Sequence, residues 1–337
     1  MHKYLYLLFS VFLLSGCDWL LLRDETPATP TATFEYLWQR CHEQYAFFEY
    51  KQVNWQEVYH RYAPLVHDDM SQDSLFAVLF DMLLELRDGH VNLISPFNIS
   101  RFEIGLLGPQ QIDERVVLEN YLGRDYYITG PFRHTFLAAD SVGYIRYSSF
   151  SNTVSDFDLN FIIGRYWRTQ GLILDLRQNG GGNAENIFTI LNRFTSQKAL
   201  LYQSYLKNGP GAEDFSPPQP AYAVPPDSKD LLRYSRKVIV LTDRGTFSAA
   251  SFFALASKAI PRMQIMGDTT GGGLGIPNGG QLPNGWTYRI SISRTLSPEG
   301  DNYENGVPPD LYLSLDQQAR SRGVDNLIEA AIQEILK

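Results

Sequence analysis

The chain has 337 residues, 37 of them acidic and 29 basic, so it carries a formal charge of −8, and its hydrophobic content of 44% is ordinary for a globular protein. Its basic residues form no cluster outside the extreme N-terminus, which excludes a nucleic acid or an anionic lipid surface held through phosphate contacts. The length suits one large domain with a smaller one, and the mild acidity serves solubility.

The first residues, MHKYLYLLFSVFLLSGCDW, set one lysine before an apolar run that starts at Tyr4 and ends in Leu14, Ser15, Gly16 and Cys17. The run is too short to cross a bilayer, and its layout is that of a secretory signal over residues 1–16. The LSGC end resembles a bacterial lipobox, which implies lipidation of Cys17 and a chain tied to an envelope membrane on its periplasmic or surface face. Residues 17–32 turn from apolar to Pro- and Thr-rich, as a tether would. With Cys17 lipidated, the only other cysteine, Cys41, has no partner for an intrachain disulfide and reads as a small core residue.

From Thr33, apolar residues recur at Phe34, Leu37, Trp38, Cys41, Tyr45 and Phe48, the spacing of one helix face. A second helix is expected over NWQEVYHRYAPLV, and a third after the cap residue Ser71, with Leu75, Val78, Leu79, Met82, Leu83 and Leu86 on one side. These form a small module, 33–90, that stops where Asp88 and Gly89 break the third helix. The remainder, 91–337, begins with segments that read as short strands: FEIGLL, ERVVLENYL, DYYITG and SVGYIRYSSF. After residue 156 helix and strand alternate, through GLILDLR and AENIFTILNRF, which favours a mixed or parallel sheet with helices outside. A Pro- and Gly-rich stretch, KNGPGAEDFSPPQPAYAVPPDSKD, is expected to be irregular for most of its length. The strand KVIVLT, the helix that Ser248 begins, the strand MQIMG, two strands flanking LPNGW and a last amphipathic helix from Val324 to Leu336 complete the chain.

Ser248 stands where KVIVLT gives way to a small-residue helix, so it is either a nucleophile or a helix cap. The three glycines after GLILDLRQN offer main-chain N–H groups without side chains in the way, and the Ala249 N–H sits at a helix N-terminus; together they supply both halves of an oxyanion hole. Of the histidines, His134 is a loop candidate for a base, while His90 follows the helix-breaking Asp-Gly pair and can be aimed into a cleft. No His, Cys, Asp and Glu set has metal-ligand spacing and no phosphate loop is present, so neither a metal nor another cofactor is expected.

In order, LRDGH, LILDLRQNGGGN, TDRGTFSAASFF, GDTTGGGLG and NYENGVPPD resemble the tail-specific, or C-terminal processing, serine peptidases, in particular the branch of the tricorn protease core and the interphotoreceptor retinoid-binding repeats. The resemblance runs from Tyr45 to Asp310. It implies an α/β fold, a Clp protease/crotonase-like spiral β-β-α core preceded by the helical module. It also implies a serine peptidase with Ser248 as nucleophile, His90 as base and Glu304 holding the histidine, with the Ala249 amide and one of Gly180 or Gly181 binding the oxyanion. Gly273 stands where the tail-specific branch has a lysine, so a Ser/Lys dyad is not expected. Gly89 stands where tricorn has a serine, and Ser251 where many relatives have a glutamate. The interval between His90 and SVGYIRY is too short for a PDZ domain, so a peptide or protein substrate would be selected by the cleft itself. The competing expectation is a catalytically silent binding lipoprotein for an apolar ligand or peptide, the role of the retinoid-binding repeats.

Overall fold

The computed structural model describes residues 26–337, so the signal expected over 1–16 and the lipidation candidate Cys17 lie outside the described residues. The end of the expected tether is already helical. Helix α1, Pro30–Gln44, opens with a proline at N1, where the missing N–H costs nothing, and the Thr29 side chain accepts from the Ala32 N–H. Asn54 caps α2, Trp55–Tyr62, and Ser71 caps α3, Gln72–Leu84. Their apolar faces meet, and the Trp38 and Trp55 indoles each donate to the other residue's carbonyl, at 3.2 and 3.1 Å. This core also takes in Leu282, Trp286, Tyr288 and Ile290, from a hairpin two hundred positions on. The helical module is therefore sealed by the later part of the chain.

Beyond β1, Asn92–Ile94, two of the four expected strands are helical. FEIGLL contains a single turn, Ile104–Leu107, and ERVVLENYL forms α4, Glu114–Val116, continued by a wider π-type turn over Val117–Leu122. The reason lies in Asp113, whose carboxylate accepts from the Arg115 and Val116 N–H groups and starts a helix, while Val116, Val117 and Leu122 bury one face. Strands β2, Tyr127–Thr129, and β4, Val142–Arg146, then appear where the β-branched and aromatic content placed them, while β3, Phe132–Leu137, takes up the His134 segment expected as a loop, because it pairs with both neighbours.

The alternating half follows: α5, Asp156–Arg165; β5, Gly171–Asp175; α6, Glu185–Leu191; β6, Ala199–Leu206; β7, Gln219–Ala223; β8, Lys237–Thr242; α7, Ala249–Ser257; and β9, Met263–Gly267. The chain ends with β10, Pro277–Gln281, β11, Thr287–Ser291, β12, Ser293–Leu296, β13, Leu311–Tyr312, α8, Gln317–Ser321, and α9, Asn326–Leu336. The main sheet has seven strands in the order β13-β9-β8-β5-β4-β3-β2, parallel from β13 to β4 and antiparallel beyond. Two antiparallel three-stranded sheets flank it, β1-β11-β10 and β12-β6-β7, the last using part of the Pro-rich stretch.

One face of the main sheet packs on α5, α6 and α7, the other on α9 through Leu327, Ile328, Ala331 and Ile335. Helix α7 is buried at every residue, which its Ala-rich sequence permits. Registers place Asp175 beside Leu241 and Thr242 beside Gly267, so the loops that follow β5, β8 and β9 leave one edge of the sheet together. Beneath them, fully buried Arg177 donates to Asp175, to Asp325 at the start of α9 and to the Gln111 carbonyl. That ion-pair cluster fixes the root of the loop after β5.

Candidate active site

Three loops at the carboxyl ends of parallel strands are laced together by their backbones, the usual location for a site in such sheets. The Phe247 N–H donates to the Asn179 carbonyl and the Ser248 N–H to the Gly272 carbonyl, both at 2.9 Å, and the Gly271 N–H donates to Thr246 at 2.7 Å. Buried Ser251 adds a pin, donating its hydroxyl hydrogen to the Thr246 carbonyl and sharing a hydrogen bond with the Thr270 hydroxyl, each at 2.9 Å. Ser248 has φ 55° and ψ −125°, a region that side chains other than glycine's avoid, and its hydroxyl caps no helix N–H. The capping alternative fails. The strained turn instead holds the hydroxyl toward the His90 ring.

His90 Nε2 lies 2.9 Å from Ser248 Oγ, across 158 positions of sequence. The histidine is buried, and its own N–H donates to Asp88 Oδ1 at 2.8 Å. The other Asp88 oxygen accepts from the Tyr45 hydroxyl at 3.0 Å and the Ser291 hydroxyl at 2.9 Å, so the turn that carries the imidazole is fixed by three bonds. Phe247 covers the ring, with centroids 4.8 Å apart. Burial, with Arg289 and Lys51 nearby, pushes the imidazole pKa below its ordinary value of 6.5, against the opposing pull of Asp88 and the Gly275 backbone. A neutral ring with its proton on Nδ1 leaves Nε2 free to accept from a hydroxyl. His134, the other candidate, lies away from the cleft, bonded to Thr129 Oγ1 at 2.9 Å and the Tyr166 hydroxyl at 2.8 Å.

Glu304 makes no direct hydrogen bond to His90, the first of the two ways, directly or through water, in which it was expected to hold the ring. Its Oε2 accepts from the Leu274 and Gly275 N–H groups at 2.7 and 2.9 Å, and its Oε1 lies 3.9 Å from Lys51 Nζ. A buried carboxylate takes the donors in reach, and here these are the amides of the loop after β9. The Gly275 it holds lines the same cleft as His90, whose Nδ1 is buried without a hydrogen-bond partner among the described residues. Burial and then Asp88 raise the Glu304 pKa well above the usual carboxylate range, partly offset by Lys51 and the two amides.

The glycine turn does meet the Ser248 turn. A Cβ at Gly181 would lie 2.8 Å from the Ala249 nitrogen, the Phe247 oxygen and Ser248 Cβ, and φ there is +94°, so only glycine fits. The Gly181 N–H itself donates to Asn179 Oδ1 at 3.0 Å and is not free for an oxyanion, which leaves Gly180 of the two alternatives. Among the described residues, the Ala249 and Gly180 N–H groups have no acceptor, and both residues line the cleft of about 340 Å³ that holds Ser248 and His90. At Gly273, φ is +73° and any side chain would overlap the Phe247 ring. Sequence reasoning passed over Asp88, Lys51, Phe247 and Arg289. Only Asp88 left a signal, an acid two residues before the histidine that can accept its N–H.

Residues 141–313, half of the chain, match the model of Peptidase family S41, and residues 26–84 match that of the Tricorn protease C1 domain. The chain is 28% identical over 175 residues to carboxy-terminal processing protease CtpB of Bacillus subtilis (strain 168), a match over 51% of this chain and 34% of that one. With carboxy-terminal processing protease CtpA of the same organism it is 27% identical over 190 residues, 54% of this chain and 37% of the other. The chain thus spans little more than a third of the relatives' length. Among solved structures, a candidate peptidase from Parabacteroides merdae ATCC 43184 superposes with a TM-score of 0.87 at 39% identity, covering 92% of this chain and 97% of the other. Mature CPAF superposes with a TM-score of 0.66 at 14% identity over 91% and 96%, a likeness of fold alone.

Proposed function

The chain belongs to peptidase family S41, and on that premise we propose that it is a serine peptidase that hydrolyses peptide bonds through an acyl-enzyme. The observation that carries the reading is the 2.9 Å contact between His90 Nε2 and Ser248 Oγ, made by a strained serine beside two unpartnered amides. His90 takes the hydroxyl proton as Oγ attacks the peptide carbonyl carbon, and the resulting oxyanion accepts from the Ala249 and Gly180 N–H groups. His90 then gives its proton to the departing amine as the C–N bond breaks. Water, deprotonated by the same ring, attacks the ester, and the acid leaves with Ser248 reprotonated. Asp88 and Glu304 act as positioning residues, the first through the His90 backbone, the second through the Gly275 peptide.

The name of the similar bacterial proteins, carboxy-terminal processing protease, supports the tail of a protein as substrate. The LSGC segment supports attachment to an envelope membrane through lipid on Cys17, which incorporation of labelled palmitate and its loss in Cys17→Ala would test. A silent ligand-binding role is not favoured, since it gives no use to a strained serine against a buried imidazole. Labelling by a fluorophosphonate probe decides the matter: wild type reacts and Ser248→Ala does not. Equal labelling of the two would remove Ser248 as the nucleophile.

A further inference from the structure

A second cavity, of about 330 Å³, shares Phe247 with the cleft but opens onto other residues, and its charged lining is Lys51, Arg87, Arg244 and Glu304. Lys51 and Arg87 are bound to each other's backbone, and Lys51 and Arg244 are both bound to Asn305. Lys51 Nζ donates to the Arg87 carbonyl at 2.9 Å and to Asn305 Oδ1 at 3.4 Å, and the Arg87 guanidinium donates back to the Lys51 carbonyl. Arg244 Nη1 donates to the Asn305 carbonyl at 3.0 Å and to the Thr270 carbonyl at 3.2 Å. The Lys51 side chain is only 4% exposed.

Against these three charges stands one acid. Glu304 is 3.9 Å from Lys51, and its Oε2 is already spent on two amides. Neither Arg87 nor Arg244 has a carboxylate partner among the described residues, and each keeps guanidinium N–H groups that donate to no protein atom there. Ile104 and Leu107 add apolar surface to the lining, and the space runs from the exposed Arg87 to the buried Lys51, the end at which attraction for an anion is strongest. Guanidinium forks held in place by their own backbone bonds are prepared for oxygen pairs.

We propose that this cavity binds an oxyanion, a carboxylate or phosphate group set between Arg87 and Arg244 with Lys51 beneath. The group can be the free α-carboxylate of a peptide, which rests on the peptidase reading, or a small inorganic anion, which does not. The cavity lies one aromatic ring away from the histidine, so a carboxylate held there would fix a peptide end at a set distance from Ser248.

The test titrates inorganic phosphate and acetate into the full chain at constant ionic strength by calorimetry, in wild type and in R87Q/R244Q, with thermal melting as a control of folding. Saturable binding in wild type, weakened at least about tenfold in the variant, supports the site. Should the double variant melt early, R244K serves in its place, keeping the charge while losing the fork. Peptides ending in a free carboxylate or an amide then separate the sources. A preference for the free acid that phosphate competes away, and that R87Q/R244Q loses, assigns the site to a substrate terminus; phosphate binding without such a preference assigns it to a free anion. Absence of saturable anion binding to wild type, or equal binding to the variants, overturns the proposal. If no peptide is cleaved, the peptidase reading fails while the titration still decides the anion site.

Discussion

Phe247 lies against the imidazole of His90, ring centroids 4.8 Å apart and planes tilted by 55°, and the same ring fills the space above Gly89 and Gly273. A Cβ at Gly89 would come within 2.8 Å of Phe247 Cζ, so the serine that tricorn carries at that place has no room here. The lysine of the tail-specific branch is likewise shut out at Gly273. One aromatic residue thus leaves the imidazole as the only base beside Ser248 among the described residues.

Phe247 lies against the His90 ring, and burial is the first cause that depresses the imidazole pKa. The base must be neutral to work, so the activity of wild type is expected to persist below pH 6.5, the ordinary histidine value, and to fall only as pH drops through the lowered pKa. Phe247→Ala lets water reach the ring, and the acid limb of the kcat/KM profile should move up by about half a unit or more. An unmoved limb would mean that His90 is not the titrating base.

Ser248→Gly and Ser248→Ala both remove the hydroxyl, yet only glycine is at ease with φ 55° and ψ −125°. Backbone strain of this kind costs about 1–3 kcal/mol, part of it offset by the larger entropy of unfolded glycine, so Ser248→Gly should be the more stable by about 1 kcal/mol. Urea unfolding of the two inactive variants measures the difference directly.

Gly181→Ala adds a methyl that meets the Ala249 nitrogen and Ser248 Cβ at 2.8 Å. No proposed catalytic side chain is lost, but the two turns are pushed apart and the amide pair is spoiled. The expected result is a drop of about a hundredfold in kcat with little change in KM, the signature of lost oxyanion binding.

Glu304→Gln keeps an oxygen for the Leu274 and Gly275 amides, whereas Glu304→Ala leaves both without an acceptor and Lys51 without its acid. A role through the loop predicts that the glutamine variant stays within about tenfold of wild type while alanine falls by about a hundredfold or more and loses about 2 kcal/mol of stability. Equal loss in both would point to the charge itself.

Much of this arrangement could be read from residues alone, and the failures have physical causes. Ser71 and the apolar spacing after it located α3, and the β-branched runs located β5 and β8, because burial of one face leaves a periodic mark. ERVVLENYL misled because Val raises strand propensity, while the Asp113 cap that overrides it is a single residue. Ser248, His90 and the glycine turn were found by ordered motifs. The true partners of Glu304 were not, since a carboxylate's choice between an imidazole and two amides depends on loop backbone placement that leaves no pattern in sequence. Lys51, Arg87 and Arg244 are far apart along the chain and only the fold gathers them.

The hairpin that supplies Leu282, Trp286, Tyr288 and Ile290 to the helical module closes the chain into a loop in which the first described helices wait for residues translated much later. His90 hangs from the terminus of that module, while Ser248 hangs from the sheet. A chain in which that hairpin has not yet docked is therefore expected to hold an unactivated alcohol at Ser248.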